Sequence, residues 1–285
     1  MTYAPNRIRP TRRGCLLVAL LGLLLFGLAC HSRPFTGGHP ANAECLHRII
    51  ESGELRVGMT GSQAPLNMRN RSGDLIGLDV ELARALADAM RVELVLVETP
   101  FADLLSELEQ GDLDLVISSL TITPARNARV AFAGPYLISG LSLLTRADLV
   151  DELTDIASLN SADRSWAALE GSTGEELIQD VFPLAHYVVI DDQEEAVAMI
   201  GRGELDGLIA DHPFVQFEIA RNPDLELASL PSPLTTEPLG IALPANSPLF
   251  ANLVQNYLNT LDHTGQLMQM KARWLNGTDW LLEMP

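Results

Sequence analysis

The chain is poor in the residues on which many protein classes depend. Three cysteines, Cys15, Cys30 and Cys45, are spread through 285 residues, too few for a disulfide framework. The six histidines are scattered; no His or Cys cluster has metal-ligand spacing, so neither a metal nor a cofactor is implied. No glycine-rich nucleotide loop follows a strand in the required frame. Basic residues are scarce, 19 Lys and Arg against 37 Asp and Glu, for a formal charge of −18. Such a surface repels nucleic acid and anionic lipid headgroups; it serves solubility, or attraction of cationic ligands. A long apolar span is also missing, because the run "CLLVALLGLLLFGLA" at 15–29 falls short of the roughly 20 residues a membrane-spanning helix needs.

What is present begins with that run. Arg7, Arg9, Arg12 and Arg13 precede it, which makes 1–30 the charged region and apolar core of a secretory signal. It ends at Ala29-Cys30, similar to the lipobox of bacterial lipoproteins, although Gly27 and Leu28 depart from the usual residues. Cys30 is the expected lipidation site; the alternatives are ordinary cleavage, an uncleaved anchor, or a Cys30–Cys45 bridge. "HSRPFTGGHPANA" is rich in Gly, Pro and small residues, and 31–45 reads as a tether.

With 47% hydrophobic residues the remainder is long enough for two lobes with full cores. Strand-like runs, "LRVGMT", "VELVLVE", "LDLVISS", "SWAALEG", "HYVVID" and "LDGLIAD", alternate with helical stretches. Several are apolar at consecutive positions, as in parallel strands covered on both faces. Asp79 can cap "DVELARALADAM", with Val80, Ala83, Ala87 and Met90 on one face, and Thr99-Pro100 and Thr123-Pro124 can open two more helices. Strand and helix in alternation predict an α/β fold. "GDLDLVISS" and "GELDGLIAD" echo each other, as equivalent strands of two α/β halves would.

Ligands in open α/β sheets bind beyond the carboxyl ends of strands, and both echoes end in polar groups. After the first come Ser118, Ser119 and Thr121, then Arg126 in the first turn of the helix opened by Thr123-Pro124. A cation there opposes the helix dipole unless an anion is shared between guanidinium, hydroxyls and helix N-terminus. The plainer alternatives are a pair with Asp103 or simple solvation. After the second echo comes Asp211, either a helix cap or an acceptor for an ammonium group. "EGSTGEE" at 170–176 reads as a capping box or a second set of donors. Cation and hydroxyls on one lobe and carboxylate on the other would make an amphoteric site.

From about 46 to 274 the chain resembles the bacterial periplasmic solute-binding proteins of polar amino-acid ABC transporters. The resemblance is carried by "ESGELRVGMT", "GDLIGLDVELARALADAM", "GDLDLVISSLTITPARNARVAFAGPYLISGLSLLTR", "GELDGLIAD", "LGIALP" and "GQLMQMKARW". It implies a two-lobed type II periplasmic-binding fold, each lobe a mostly parallel sheet flanked by helices. The first lobe would span 46–142 and 241–285, the second 147–236, with hinges near 143–146 and 237–240. It implies that Arg126 grips a ligand α-carboxylate with Ser119 and Thr121, and that Asp211 takes the α-ammonium. Thr173 would add a donor and Ser118 a main-chain acceptor. The chain departs from the family at Thr60, Gln63, Leu66 and Leu78, leaving Phe101 as the stacking surface; Gln63 and Thr60 then belong to an altered side-chain pocket.

The expected function is a non-catalytic extracytoplasmic receptor, monomeric, held to the membrane only by a lipid or signal. It would deliver an amino-acid-like solute to an ABC permease and ATPase. Two alternatives stand beside it: a cyclohexadienyl (prephenate or arogenate) dehydratase-like enzyme on the same fold, and a receptor feeding a signalling partner. Dehydration needs a general acid; Glu170 is a candidate, while Phe214 stands where that branch has its carboxylate.

Overall fold

Two five-stranded sheets, each carrying its own apolar core, divide the chain in the computed structural model. The structure describes residues 44–277 and Trp280. The expected signal segment, Cys15, the lipidation site Cys30 and residues 31–43 of the tether lie outside the described residues. The expected tether does not reach 45, because a helix already runs over Glu44–Ser52. Cys45 sits in it as a free thiol, its Sγ 4.0 Å from Asp114 Oδ1.

The strands to the first crossing are β1 (Glu54–Met59), β2 (Ser62–Gln63), β3 (Asn67–Arg69), β4 (Leu75–Ile76), β5 (Glu93–Glu98), β6 (Leu115–Val116) and β7 (Ala131–Ser139). In the second lobe follow β8 (Leu141–Arg146), β9 (Ser165–Leu169), β10 (His186–Ile190), β11 (Gly207–Asp211) and β12 (Leu227–Ser229); β13 (Glu237–Leu243) returns to the first. The sheets are ordered β5-β1-β6-β13-β7 and β10-β9-β11-β8-β12, with β2, β3 and β4 forming a small third sheet. In each large sheet three strands pair in parallel, and the two strands next to the crossings extend them antiparallel.

The two sequence echoes occupy equivalent places. β6 and β11 are the middle strands of their sheets. Each follows a glycine with positive φ, Gly111 at 86° and Gly203 at 73°. Each is preceded by an aspartate that accepts the backbone N–H of its parallel neighbour: Asp114 from Arg56 at 2.8 Å, Asp206 from Ser165 at 2.8 Å.

The crossings differ from the expected ones. Residues 143–146 and 237–240 are not links; they lie within β8 and β13, apolar strands each paired on both sides inside a sheet. The chain passes between lobes at Gly140, from β7 straight into β8, and over 230–236 from β12 to β13. The two crossings touch: Leu141 N donates to Thr235 Oγ1 at 3.0 Å and Leu234 N to Leu141 O at 2.7 Å. At Gly140 a Cβ would lie 2.2 Å from the backbone oxygen of Thr235. Gly140→Ala is therefore expected to lower unfolding free energy by about 1–3 kcal/mol, the usual cost of forced overpacking. Denaturant titration measures it, and an unchanged midpoint would show that the crossings can separate freely.

Candidate functional site

Beyond β6 the chain turns sharply at Ser119, which has a φ of 50°, a region that non-glycine residues rarely enter. Asp79 holds this turn. Its Oδ2 accepts from Ser119 N at 3.1 Å and Asn67 Nδ2 at 2.8 Å, and its Oδ1 from Tyr136 Oη at 2.7 Å. Asp79 is thus not the helix cap that its position suggests. The helix Leu78–Met90 is preceded by Gly77, and the fully buried Asp79 carboxyl serves the turn. Burial pushes its pKa up, and the Tyr136, Asn67 and Ser119 bonds pull it back.

Thr123 caps the short helix Pro124–Asn127 as expected, its Oγ1 accepting from Arg126 N at 3.2 Å. Arg126 is 7% exposed. Its guanidinium donates to Thr121 O and, across the lobes, to Gly171 O, both at 3.0 Å, and lies 5.6 Å from the centroid of Phe101. Among the described residues no carboxylate forms an ion pair with it, so neither Asp103 nor solvent accounts for this side chain. Burial lowers its pKa, with Glu176, Glu237 and Asp211 opposing.

In the second lobe Ser172 caps the helix Thr173–Val181, accepting from Glu175 N at 3.2 Å, while Glu175 Oε2 accepts from Gly171 N at 2.7 Å. Thr173 is the first helical residue. Asp211 closes β11 before the helix His212–Arg221, and its carboxylate makes no capping bond there. Its pKa is raised to about 7, by burial first and then by Glu237 and Asp79, with Arg126 pulling it down.

Seven of the expected residues line one cavity between the lobes: Gln63, Phe101, Ser119, Thr121 and Arg126 from the first, Thr173 and Asp211 from the second. The cavity is about 20 Å³, room for about one water molecule. Ser118 and Thr60 do not reach it. Ser118 Oγ accepts from Thr60 N at 3.1 Å and donates to Gln63 Oε1 at 3.0 Å, bracing the wall from behind. Thr60 faces an adjoining space of about 300 Å³ shared with Glu98 and Asp191. Leu66 and Leu78, read from sequence as part of an altered pocket, are core residues of the first lobe. Sequence reasoning missed Gln193 and read Ser172 only as part of the 170–176 capping or donor turn; both also line the cavity. Both stand where a helix starts just after a strand's carboxyl end, the one signal that could have found them. Phe214 is buried in the second lobe's core, and Glu170 is exposed and outside the cavity lining.

Two lobes joined by two crossings, with a cation and hydroxyls facing a carboxylate across the gap, define a two-lobed binding protein. The chain belongs to the bacterial extracellular solute-binding proteins, family 3, whose model matches residues 55–277. It is 25% identical to a cyclohexadienyl dehydratase of Pseudomonas aeruginosa over 88% of this chain and 94% of that one. It is 24% identical to the ABC transporter arginine-binding protein 1 of Escherichia coli, over 78% and 90%. An ABC-transporter binding component of Wolinella succinogenes solved in complex with lysine is 34% identical, covering 81% of this chain and 99% of its own, with a TM-score of 0.77. Among the described residues no helix is long and apolar enough to cross a membrane.

The raised Asp211 pKa fixes a pH dependence. The folded value, about 7, lies above the roughly 3.9 of an unfolded aspartate. Folding therefore takes up a proton, and the associated stability is full below about pH 4 and is lost as pH rises through 7. Glu218, also raised to about 7 by burial, has the same sign, so the informative quantity is a difference. The melting temperature of the wild type minus that of Asp211→Asn should shrink as pH rises from 4 to 8. A constant difference would show that Asp211 does not titrate in that window.

Proposed function

We propose that the protein is the extracytoplasmic receptor of an ABC importer, capturing an amino acid or a related amphoteric solute as its lobes close. The observation that carries this reading is Arg126, a buried cation without a carboxylate partner, facing Asp211 across the gap. Buried charges in proteins are paired or bind something. A ligand α-carboxylate would receive the guanidinium together with the hydroxyls of Ser119 and Thr121. An α-ammonium would meet Asp211, and Thr173 would donate from the start of its helix. Ser118 supports the wall, Phe101 supplies an aromatic surface, and Gln63 and Thr60 stand toward the ligand's side chain. Closure would exclude water and present one shape to a permease with its ATPase. Cys30 remains the expected lipid attachment point of a monomeric chain in the periplasm or at the extracytoplasmic membrane face.

The similarity to a cyclohexadienyl dehydratase supports a second reading, in which the Asp211 carboxyl, with its pKa near 7, acts as a general acid. The positions of Phe214 and Glu170 supply no further acid for that reaction. The receptor reading uses Asp211 fully as a counter-ion.

Calorimetric titration with α-amino acids tests the proposal. Arg126→Ala should abolish binding while leaving cooperative melting intact. Asp211→Asn should weaken ammonium-bearing ligands by about 2–5 kcal/mol, the cost of removing one partner of a buried charge pair. Unchanged affinity in either variant removes that residue from the site. Incubation with prephenate or arogenate should give no turnover, and turnover would replace the receptor with the enzyme.

A further inference from the structure

A cavity of about 540 Å³ lies beside the two crossings, which line it with Gly140 and Pro233. None of the binding groups named above reaches it. Its walls come from both lobes: Pro65, Ile138 and Trp274 on the first, Pro213, Phe217 and Ala220 on the second. Trp280 bridges them, its ring centroid 5.8 Å from that of Trp274 and 5.6 Å from that of Phe217. The lining is mostly apolar, and Ile138 of β7, 58% exposed, extends it to the surface. A contiguous apolar patch of this kind, unlike a scattered surface residue, marks a place that something covers.

The cavity wall also carries an unmatched donor. Trp166 Nε1 donates to Leu159 O at 2.7 Å and Trp274 Nε1 to Glu81 Oε2 at 2.6 Å. Trp280 is 9% exposed, and its buried Nε1 has no acceptor among the described residues. A buried N–H left in that state costs free energy, and buried indoles usually find a partner. An occupant of the cavity should therefore bring apolar groups together with a carbonyl oxygen. A peptide segment brings both.

Such a segment is attached to the wall itself. Leu281, Leu282, Glu283, Met284 and Pro285 follow Trp280 in the sequence, outside the described residues. Three of the five are large and apolar, and fully extended they reach about 17 Å, enough to enter a space that Trp280 already lines. Tethering gives them an effective concentration on the order of millimolar, ahead of a free apolar solute. A second copy of the chain is disfavoured by the formal charge of −18 that each copy carries.

We propose that residues 281–285 occupy this cavity, with Leu281, Leu282 and Met284 against its apolar walls and a backbone carbonyl accepting from Trp280 Nε1. Seated there, the segment straps the second lobe's Phe217 and Pro213 to the first lobe's Ile138 and Trp274, and resists separation of the lobes. This goes beyond the receptor reading and does not depend on it.

The test compares the full chain with a variant ending at Trp280. Deletion of 281–285 should lower the melting temperature by at least about 4 °C, the loss expected for two buried leucines in a protein of this size. It should also raise the fluorescence of added Nile red several-fold, as the cavity becomes open to the dye. Leu281→Asp combined with Leu282→Asp keeps the chain length and should have the same effects, which separates loss of the segment from fraying of Trp280 at a new chain end. Ile138→Asp changes the cavity wall at an exposed position. In that background the deletion should cost less than half as much, because residues in contact couple whereas distant ones add. Additive melting shifts, or a deletion that moves neither melting nor dye, overturn the proposal. Nile red binding to the full chain equal to that of the deleted form overturns it as well, since the cavity is then open to any apolar solute. So does a sedimenting dimer that Ile138→Asp dissociates, which makes a second copy the occupant.

Discussion

The structure is organised around one buried positive charge. The Arg126 guanidinium is held by two carbonyl oxygens, one from each lobe, and by the face of Phe101. These partners take two of its five N–H groups and carry no net charge. The carboxylates that act on it, Glu176, Glu237 and Asp211, do so without forming an ion pair. A charge removed from water and left without a counter-ion is a poor way to stabilise a fold. It is a good way to hold an anion, because a guanidinium binds a carboxylate through charge-assisted bonds roughly twice as strong as neutral ones. Thr123 and Pro124 start the helix that points Arg126 inward, so a local capping preference is converted into a site.

A second buried group ties that site to the crossing. Asp79 accepts from Ser119 in the turn after β6 and from Tyr136 on β7, and β7 runs directly into Gly140. Desolvation and the neighbouring Asp79 push the Tyr136 hydroxyl's pKa well above its usual value, which keeps it a donor. The strained φ of Ser119 is maintained by the same carboxyl. A shift of β7 relative to the first lobe's core would therefore be felt at the turn that carries Ser119 and Thr121.

Much of this was legible from sequence for specific reasons. The two Gly-acid-Leu-Asp echoes were readable because the positive-φ glycine and the strand-linking aspartate are both local requirements, repeated in each lobe. Arg126 was legible because a cation in a first helical turn conflicts with the dipole and calls for an explanation. The unread features depend on distant partners. Asp79 follows a glycine before a helix and looks like a cap; only the fold shows that Tyr136 and Ser119 converge on it. Leu66 and Leu78 are close in sequence to cavity residues but face the other way, into the first lobe's core. Residues 143–146 and 237–240 looked like crossings because the chain does change lobes nearby, yet their hydrogen bonds belong to the sheets. Gln193 carries no motif at all, and its place is set by the helix start meeting β2 across the gap.

In the function proposed, closure of the lobes and recognition of a zwitterion are one electrostatic problem. In the conformation described, Arg126 lacks a counter-ion and Asp211 is crowded by Glu237 and Asp79, which together with burial lift its pKa to about 7. A single α-amino acid would relieve both, its carboxylate meeting the guanidinium and its ammonium meeting Asp211. The cavity of about 20 Å³ cannot admit such a molecule while Arg126 reaches Gly171, so entry requires the lobes to part and that bond to open. A ligand shifts a conformational equilibrium only by its differential contacts with the two states. In the proposed receptor the difference is large because the groups that would close on the ligand come from opposite lobes: Arg126, Ser119 and Thr121 from one, Asp211 and Thr173 from the other. Neither half alone offers both charges, and a solute bearing only one of them would leave the other unpaired in the closed molecule.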